Sequence, residues 1–362
     1  VDFGEGGYVR LRRNDSACRH LGTGSIGLLS SPSYPLVETS TEGPHKDVGI
    51  AQPPEHPMPA QPAPLPATDP HDLIRTPCGL RPAACVVEAP HGALVRFAAP
   101  HEEGDFAVEH SSGRVESVTV PRRCHEFAAQ QAAASRGLST ASGAVPARAG
   151  AVPDGWIESA GVYQMDPTNQ LEGFVGKWTV PAAPAVPKRP ETLYYFIGLE
   201  DRTQGKLTSI HQPVLTWGDE TEGGRGGWHL WSWTCCPKNL TWHSPDIAAQ
   251  PGAVIHGSIR RRSAAVWSIE SAFRNASGWH NTTLTSQVGA FNFNYADVTL
   301  ETYNVTGCDG LVDGEVEFSE LALHLSSKQA WTPPTWYVTG LPNNCETKLT
   351  IRNASVMAIS SQ

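Results

Sequence analysis

The sequence predicts an all-β protein, an antiparallel sandwich or barrel. Three observations point there. From Trp156 onward, short runs rich in β-branched and aromatic residues recur at short intervals, broken by Gly, Pro, Asn and Asp. No run carries the 3.6-residue periodicity of an amphipathic helix. The composition agrees: 362 residues hold 34 Gly, 30 Pro and 11 Trp, and 17% are charged, against roughly 25% in an average domain.

The expected strands follow in order. The clearest are 174–180 (FVGKWTV), 192–199 (TLYYFIGL), 209–217 (SIHQPVLTW) and 228–234 (WHLWSWT). Next come 253–261, 264–273 and a long run over 291–305 (FNFNYADVTLETYNV). Runs at 316–325, 335–340 and 348–353 complete the set. All 11 Trp lie between Trp156 and Trp336. Aromatic side chains carry large buried areas, so the core belongs to this second part.

The first part reads differently. Residues 51–70 carry eight Pro in twenty positions and should be extended and semi-rigid. Residues 128–153 are small and Ala-rich, a linker or a frayed helix followed by one. A modest segment at 73–127 has room for a few strands. The domain reading is a Pro/Ala-rich, poorly structured N-terminal region over 1–150 and a β-sandwich over 155–362. The chain opens on Val1 without a charged-then-apolar leader, which reads as a processed or partial chain.

Charge and cysteines narrow the function. Lys and Arg total 27 against 36 Asp and Glu, a net charge of −9, and no basic run occurs. Nucleic acid is therefore not an expected partner. No apolar stretch is long enough to span a membrane. Sequons stand at Asn14, Asn239, Asn275, Asn281, Asn304 and Asn353, and eight Cys are present. These point to a secreted, N-glycosylated, disulfide-containing protein. The adjacent Cys235 and Cys236 are not expected to pair, because neighbouring Cα atoms sit too close for relaxed disulfide geometry. No CxxC pair suggests zinc, so no metal or cofactor is expected. Gly22-Thr-Gly24-Ser-Ile-Gly27 matches a nucleotide fingerprint but lacks its strand–helix context. No GxSxG elbow, Walker sequence, HExxH or EF-hand loop occurs.

Candidate chemistry lies on the 291–305 run. Read as a strand, it alternates. One face carries Phe291, Phe293, Tyr295, Asp297, Thr299, Glu301 and Tyr303; the other is small and aliphatic at its centre. Rings with two carboxylates suit a substrate groove, and a carboxylate among rings should have a raised pKa. An ordinary solvated sheet face is the competing reading. Gln212 sits within an apolar run, where its amide either is satisfied structurally or points at a substrate carbonyl. Trp231 and Trp233 share a face with His229, as groove or as core.

Six motifs carry a resemblance. In order they are Trp178-Thr-Val-Pro181, Phe196-Ile-Gly-Leu-Glu200, Ser209-Ile-His-Gln212, His229-Leu-Trp-Ser-Trp233, Gln250-Pro-Gly-Ala-Val-Ile255 and Ala296-Asp-Val-Thr-Leu-Glu301. Over about 156–325 the chain resembles the glutamic peptidases of the scytalidoglutamic and aspergilloglutamic kind. The resemblance implies a jelly-roll or concanavalin-like β-sandwich with a Gln–Glu dyad. Carried over, Glu301 is general base toward water and then general acid toward the leaving amine, and Gln212 holds the oxyanion. Glu200, Asp297, Trp231, Trp233 and Tyr303 would support the groove. The implied substrate is protein or peptide at acid pH, and a pro-segment role for residues 1–150 is loosely implied.

This chain departs from the family pattern. Ser232 replaces a Glu, Ala253 replaces an Asp, and Pro213 follows the candidate Gln. A shifted alignment would put Thr216 in place of the catalytic Gln. Three functions therefore stand: an acid endopeptidase; a non-catalytic sandwich binding glycan or protein; and a carbohydrase using Asp297 and Glu301. The last pair is roughly 13–14 Å apart at Cα by strand rise, against the 5–9.5 Å that two glycosidase carboxyls need.

Overall fold

The computed structural model describes residues 73–361, apart from 100–101, 139–151, 167, 186–190, 204–205, 219–225, 288–291, 328–329, 334, 342 and 344. The chain divides into two units, Val1–Pro64 and Leu65–Gln362, and every described residue belongs to the second. The Pro-rich 51–70 run, Asn14 and Cys18 lie outside the described residues.

The described N-terminal strands are β1 (Leu73–Thr76), β2 (Gly79–Pro82), β3 (Val86–Glu88), β4 (Leu94–Phe97), β5 (Phe106–Glu109) and β6 (Val115–Val118), followed by helix α1 (Arg122–Leu138). Next come β7 (Gly155–Tyr163), β8 (Leu171–Thr179), β9 (Thr192–Thr203), β10 (Lys206–Trp217), β11 (Trp228–Cys235), β12 (Thr241–His243) and β13 (Ile247–Ala249). The rest are β14 (Val254–Arg261), β15 (Trp267–Asn275), β16 (Gly278–Gln287), β17 (Tyr295–Tyr303), β18 (Gly314–Leu325), β19 (Ala330–Trp331), β20 (Tyr337–Gly340), β21 (Lys348–Asn353) and β22 (Val356–Ser361).

Two large sheets make an all-β sandwich. The first runs β20-β7-β17-β9-β10-β11-β12-β3, with β13 also on β11. The second runs β21-β22-β18-β8-β14-β15-β16-β4-β5-β6, with β19 on β18. Neighbours are antiparallel except β3 on β12 and β4 on β16. The few strands expected within 73–127 thus extend both sheets. β1 and β2 form a separate hairpin.

Strand alternation puts β9 residues into two cores. Tyr195, Ile197 and Leu199 join Trp178, Ile255 and Phe318 in the larger one. Tyr194 and Phe196 join Ile210, Val214, Trp231 and Trp233 in a second, against which Cys78, Val86 and Trp156 pack. An antiparallel sheet commonly leaves its outer face to water. Here N-terminal residues close it, and each aromatic ring so buried contributes about 1.5–3 kcal/mol.

Three features differ from the sequence reading. The 291–305 strand begins only at Tyr295. Asn294 bonds the backbone N–H of Arg202 at 2.9 Å instead of continuing the ladder. Phe293 turns onto His211 and Trp267, 4.6 Å from each ring centre. The 128–153 stretch is helical as far as Leu138, and Cys124 on α1 is bonded to Cys85. Finally, Cys235 and Cys236 are disulfide-bonded across a cis peptide, contrary to expectation. A third disulfide joins Cys308 to Cys345.

Candidate functional site

Three carboxyl groups share the outer face of the first sheet. β17 presents Asp297, Thr299, Glu301 and Tyr303 there by alternation. β9 adds Glu200, and its Gly198 makes room: a Cβ at Gly198 would lie 2.4 Å from Asp297 Oδ1. Glu200, Asp297 and Glu301 are all buried.

Burial sets their charge. Desolvation pushes Glu301 up to about 8, while the Tyr303 hydroxyl, the Trp156 indole and the Arg81 charge act against it. Tyr303 Oη donates to Glu301 Oε1. Oε2 is buried with no hydrogen-bond partner among the described residues. Glu200 is raised well above the usual carboxylate range by burial and by Asp297, against the pull of Arg202. Arg202 pairs with Glu200 and stacks on Tyr295, 3.9 Å from the ring centre. Asp297 is raised by burial and steadied by Thr299 Oγ1, which donates to Oδ2 at 2.7 Å. Asp297 is thus tied to Thr299 and to Glu200.

Gln212 lies on β10, on the same face as Ile210 and Val214. It is fully buried, and both ends of its amide are held by the β1–β2 turn. Nε2 donates to the Pro77 carbonyl at 3.0 Å, and Oε1 accepts from Cys78 Sγ at 3.6 Å. Glu301 also senses this turn, since its charge raises the Cys78 thiol. No direct hydrogen bond between Gln212 and Glu301 occurs; residues of the turn relate them. Register places Thr216, rather than Gln212, level with Glu301, because both pair with Tyr194. Thr216 Oγ1 is buried with no hydrogen-bond partner among the described residues.

The remaining predicted residues divide. Trp231 and Trp233 are buried with ring centres 5.7 Å apart, under N-terminal residues rather than open to a groove. His243 lies edge-on to Trp231 and tilted against Trp233, and burial pushes it down to about 4. Ser232 faces the other way. Its Oγ bonds Ser271 Oγ at 3.3 Å and the Thr282 carbonyl at 3.0 Å, both on the second sheet. The replaced Glu of the family pattern thus falls between the sheets, outside the carboxyl face. Ala253 closes a turn, its N–H on the Gln250 carbonyl at 3.0 Å. Asn275, Asn281 and Asn353 are exposed, whereas Asn239 and Asn304 are half-buried.

Pro77, Cys78 and Arg81 were not foreseen as part of this face. Arg81 Nη2 donates to the Cys78 carbonyl at 3.1 Å and reaches Cys236 Sγ at 3.1 Å. Nothing local marks them; the contact spans more than 130 residues. The sulfurs of Cys78, Cys235 and Cys236 lie within 4.8 Å of one another. With two of them in a disulfide, they are not a three-thiolate metal site in this state.

Comparisons with known proteins give likenesses of fold at a distance. A scytalido-glutamic peptidase bound to a peptide-based transition-state analogue is 16% identical, with TM-score 0.44, covering 58% of this chain and 100% of that one. SCP-B, a member of the Eqolisin family of peptidases in complex with the tripeptide Ala-Ile-His, is 16% identical with TM-score 0.42 and the same coverage. The aspergilloglutamic peptidase from Aspergillus niger is 16% identical with TM-score 0.34, covering 47% of this chain and 99% of that one. No family model and no curated protein matches the chain.

Proposed function

We propose that this protein is a secreted acid endopeptidase kept latent by its own β1–β2 hairpin. The observation that carries the reading is the Gln212 amide on the Pro77 carbonyl at 3.0 Å. A side-chain amide already holds a peptide carbonyl on the face that presents Glu301, Asp297 and Glu200. That is the contact an oxyanion donor makes.

Each residue then has a role. With the hairpin in place, Glu301 is desolvated and protonated through the acid and neutral range, and it cannot accept a proton from water. When the hairpin leaves, water reaches the carboxyl and its pKa falls. Ionised Glu301 takes a proton from the attacking water and returns it to the leaving amine. Gln212 Nε2 donates to the carbonyl oxygen as it gains charge. General acid–base help of this kind is worth about 10²–10⁴ in rate, and one oxyanion donor about 10²–10³. Tyr303 orients Glu301; Asp297, with Thr299, Glu200 and Arg202, holds the neighbouring field. Three disulfides among the described cysteines and exposed sequon asparagines support secretion and N-glycosylation.

One observation favours a second reading, a non-catalytic sandwich that binds glycan or protein. Gln212 stands four residues along its strand from Thr216, the position level with Glu301. The discriminating experiment is protein cleavage in acid by wild type beside a folded Glu301→Gln variant. An inhibitor of pepsin-type enzymes is present, and products are read by mass spectrometry. Cleavage by wild type alone supports the peptidase; cleavage by neither, with the hairpin opened, supports the binding sandwich.

A further inference from the structure

The hairpin meets the sandwich through sulfur as well as through a carbonyl. Cys78, in the turn between β1 and β2, is the free cysteine among the described residues. Its Sγ lies within 4.8 Å of Cys235 Sγ and Cys236 Sγ, which are bonded to each other. A thiol this close to a disulfide has a direct reaction open to it, which is exchange. Arg81 completes the arrangement. Its Nη2 stands 3.1 Å from Cys236 Sγ and 3.6 Å from Cys235 Sγ while also holding the Cys78 carbonyl. A guanidinium there stabilises a thiolate on whichever sulfur is displaced.

We propose that Cys78 and the Cys235–Cys236 pair are a thiol–disulfide exchange site that cross-links the β1–β2 hairpin to β11. Cys78 gives up its proton and its sulfur attacks one sulfur of the pair. The Cys235–Cys236 bond breaks as the new S–S bond forms. The electron pair leaves on the displaced sulfur, which takes up a proton. One thiol and one disulfide enter and one of each emerges, so no oxidant or reductant is consumed. In one isomer the hairpin is held over Gln212 by hydrogen bonds and packing. In the other it is covalently locked there.

Several groups face Cys78. Burial raises its thiol pKa, as do Glu301 and Glu200, while Arg81 and the Thr76 hydroxyl lower it. The attacking thiolate is therefore scarcer than in a free thiol and grows with pH, so acid suppresses the exchange and rising pH speeds it. The inference does not rest on peptidase activity, since Glu301 takes no part in the sulfur chemistry.

The test uses the full chain, secreted and never reduced. One sample is held in acid and another is first incubated at about pH 8.5, near the ordinary thiol pKa. Both are then denatured in acid, alkylated with N-ethylmaleimide and digested without reduction. Mass spectrometry locates the alkyl group and the linked peptides. The expected result is a shift of label from Cys78 to Cys235 or Cys236, with a peptide linking Cys78 to the other. A linked peptide in either sample supports the site. It should be lost in Cys78→Ser and should form more slowly in Arg81→Gln. The proposal is overturned if label stays wholly on Cys78 in both wild-type samples with Cys235–Cys236 intact. It is equally overturned if Cys78 is found bonded to Cys18 or to any cysteine other than Cys235 and Cys236. Because wild type alone decides, a variant that fails to fold does not blunt the test.

Discussion

Gln212 donates its side-chain amide to the backbone carbonyl of Pro77 at 3.0 Å, across 135 residues of sequence. A buried Gln on a sheet face would otherwise leave donors unsatisfied, at about 1–3 kcal/mol each. The turn supplies both partners, since Cys78 Sγ donates to Oε1. The same turn sits within the electrostatic reach of Glu301. One short hairpin thus satisfies the amide and lies within electrostatic reach of the buried carboxyl.

Glu301 makes stability depend on pH. Burial pushes its carboxyl up to about 8 from an ordinary value of 4.5. Between those values the folded protein binds more protons than the unfolded chain, so stability falls as pH rises. It is fully present below about 4.5 and lost as pH passes through about 8; the raised Asp297 and Glu200 act in the same direction. Thermal melts across this range should show a falling Tm for wild type and a flatter profile for folded Glu301→Gln. An unchanged slope in that variant would mean that Glu301 is not the titrating group.

Gly198→Ala should destabilise by about 1–3 kcal/mol, the usual cost of overpacking. The added Cβ would stand 2.4 Å from Asp297 Oδ1 and 3.1 Å from Ile210 Cδ1, both fixed in neighbouring strands. Urea unfolding measures this directly. A variant as stable as wild type would show that Asp297 is free to move.

Ser232→Glu restores the residue type of the glutamic peptidase pattern but not its setting. The new carboxylate would lie between the sheets, beside Ser271 and the Thr282 carbonyl. A buried unpaired charge there should cost several kcal/mol and give no gain in proteolysis. Enhanced cleavage with unchanged stability would place residue 232 on the carboxyl face after all.

Glycan occupancy should follow exposure. Asn275, Asn281 and Asn353 are exposed. Asn304 is half-buried, and its side-chain amide lies against the Arg75 guanidinium. Peptide mapping of secreted protein should find the first three occupied and Asn304 largely bare. Full occupancy at Asn304 would mean that it is glycosylated before Arg75 reaches it.

Much of the sandwich was legible because its strands bury one face against the partner sheet, so period-two alternation shows in β9, β10 and β17. β7, β16 and β22 were missed; GWIESAGVY and GWHNTTLTSQ carry too few large apolar residues to stand out. Alternation alone also placed Ser232 opposite Trp231 and Trp233, a signal available from sequence. Glu301, Tyr303 and Asp297 were found together on one face for the same reason. The covering hairpin was not legible. LIRT and GLRP are short, and their meaning comes from a contact with β10 that no local pattern encodes.

The most direct test compares protein cleavage at about pH 3–5 by full-length wild type, Arg81→Glu, and Arg81→Glu with Glu301→Gln, each shown to be folded, with a pepsin-type inhibitor present. Arg81 holds the Cys78 carbonyl and offsets Glu301, so reversing its charge should loosen the hairpin. The expected result is slow or delayed cleavage by wild type, faster cleavage by Arg81→Glu, and none by the double variant. Absence of cleavage from every protein, or equal cleavage with and without Glu301, would contradict a latent Glu301–Gln212 peptidase.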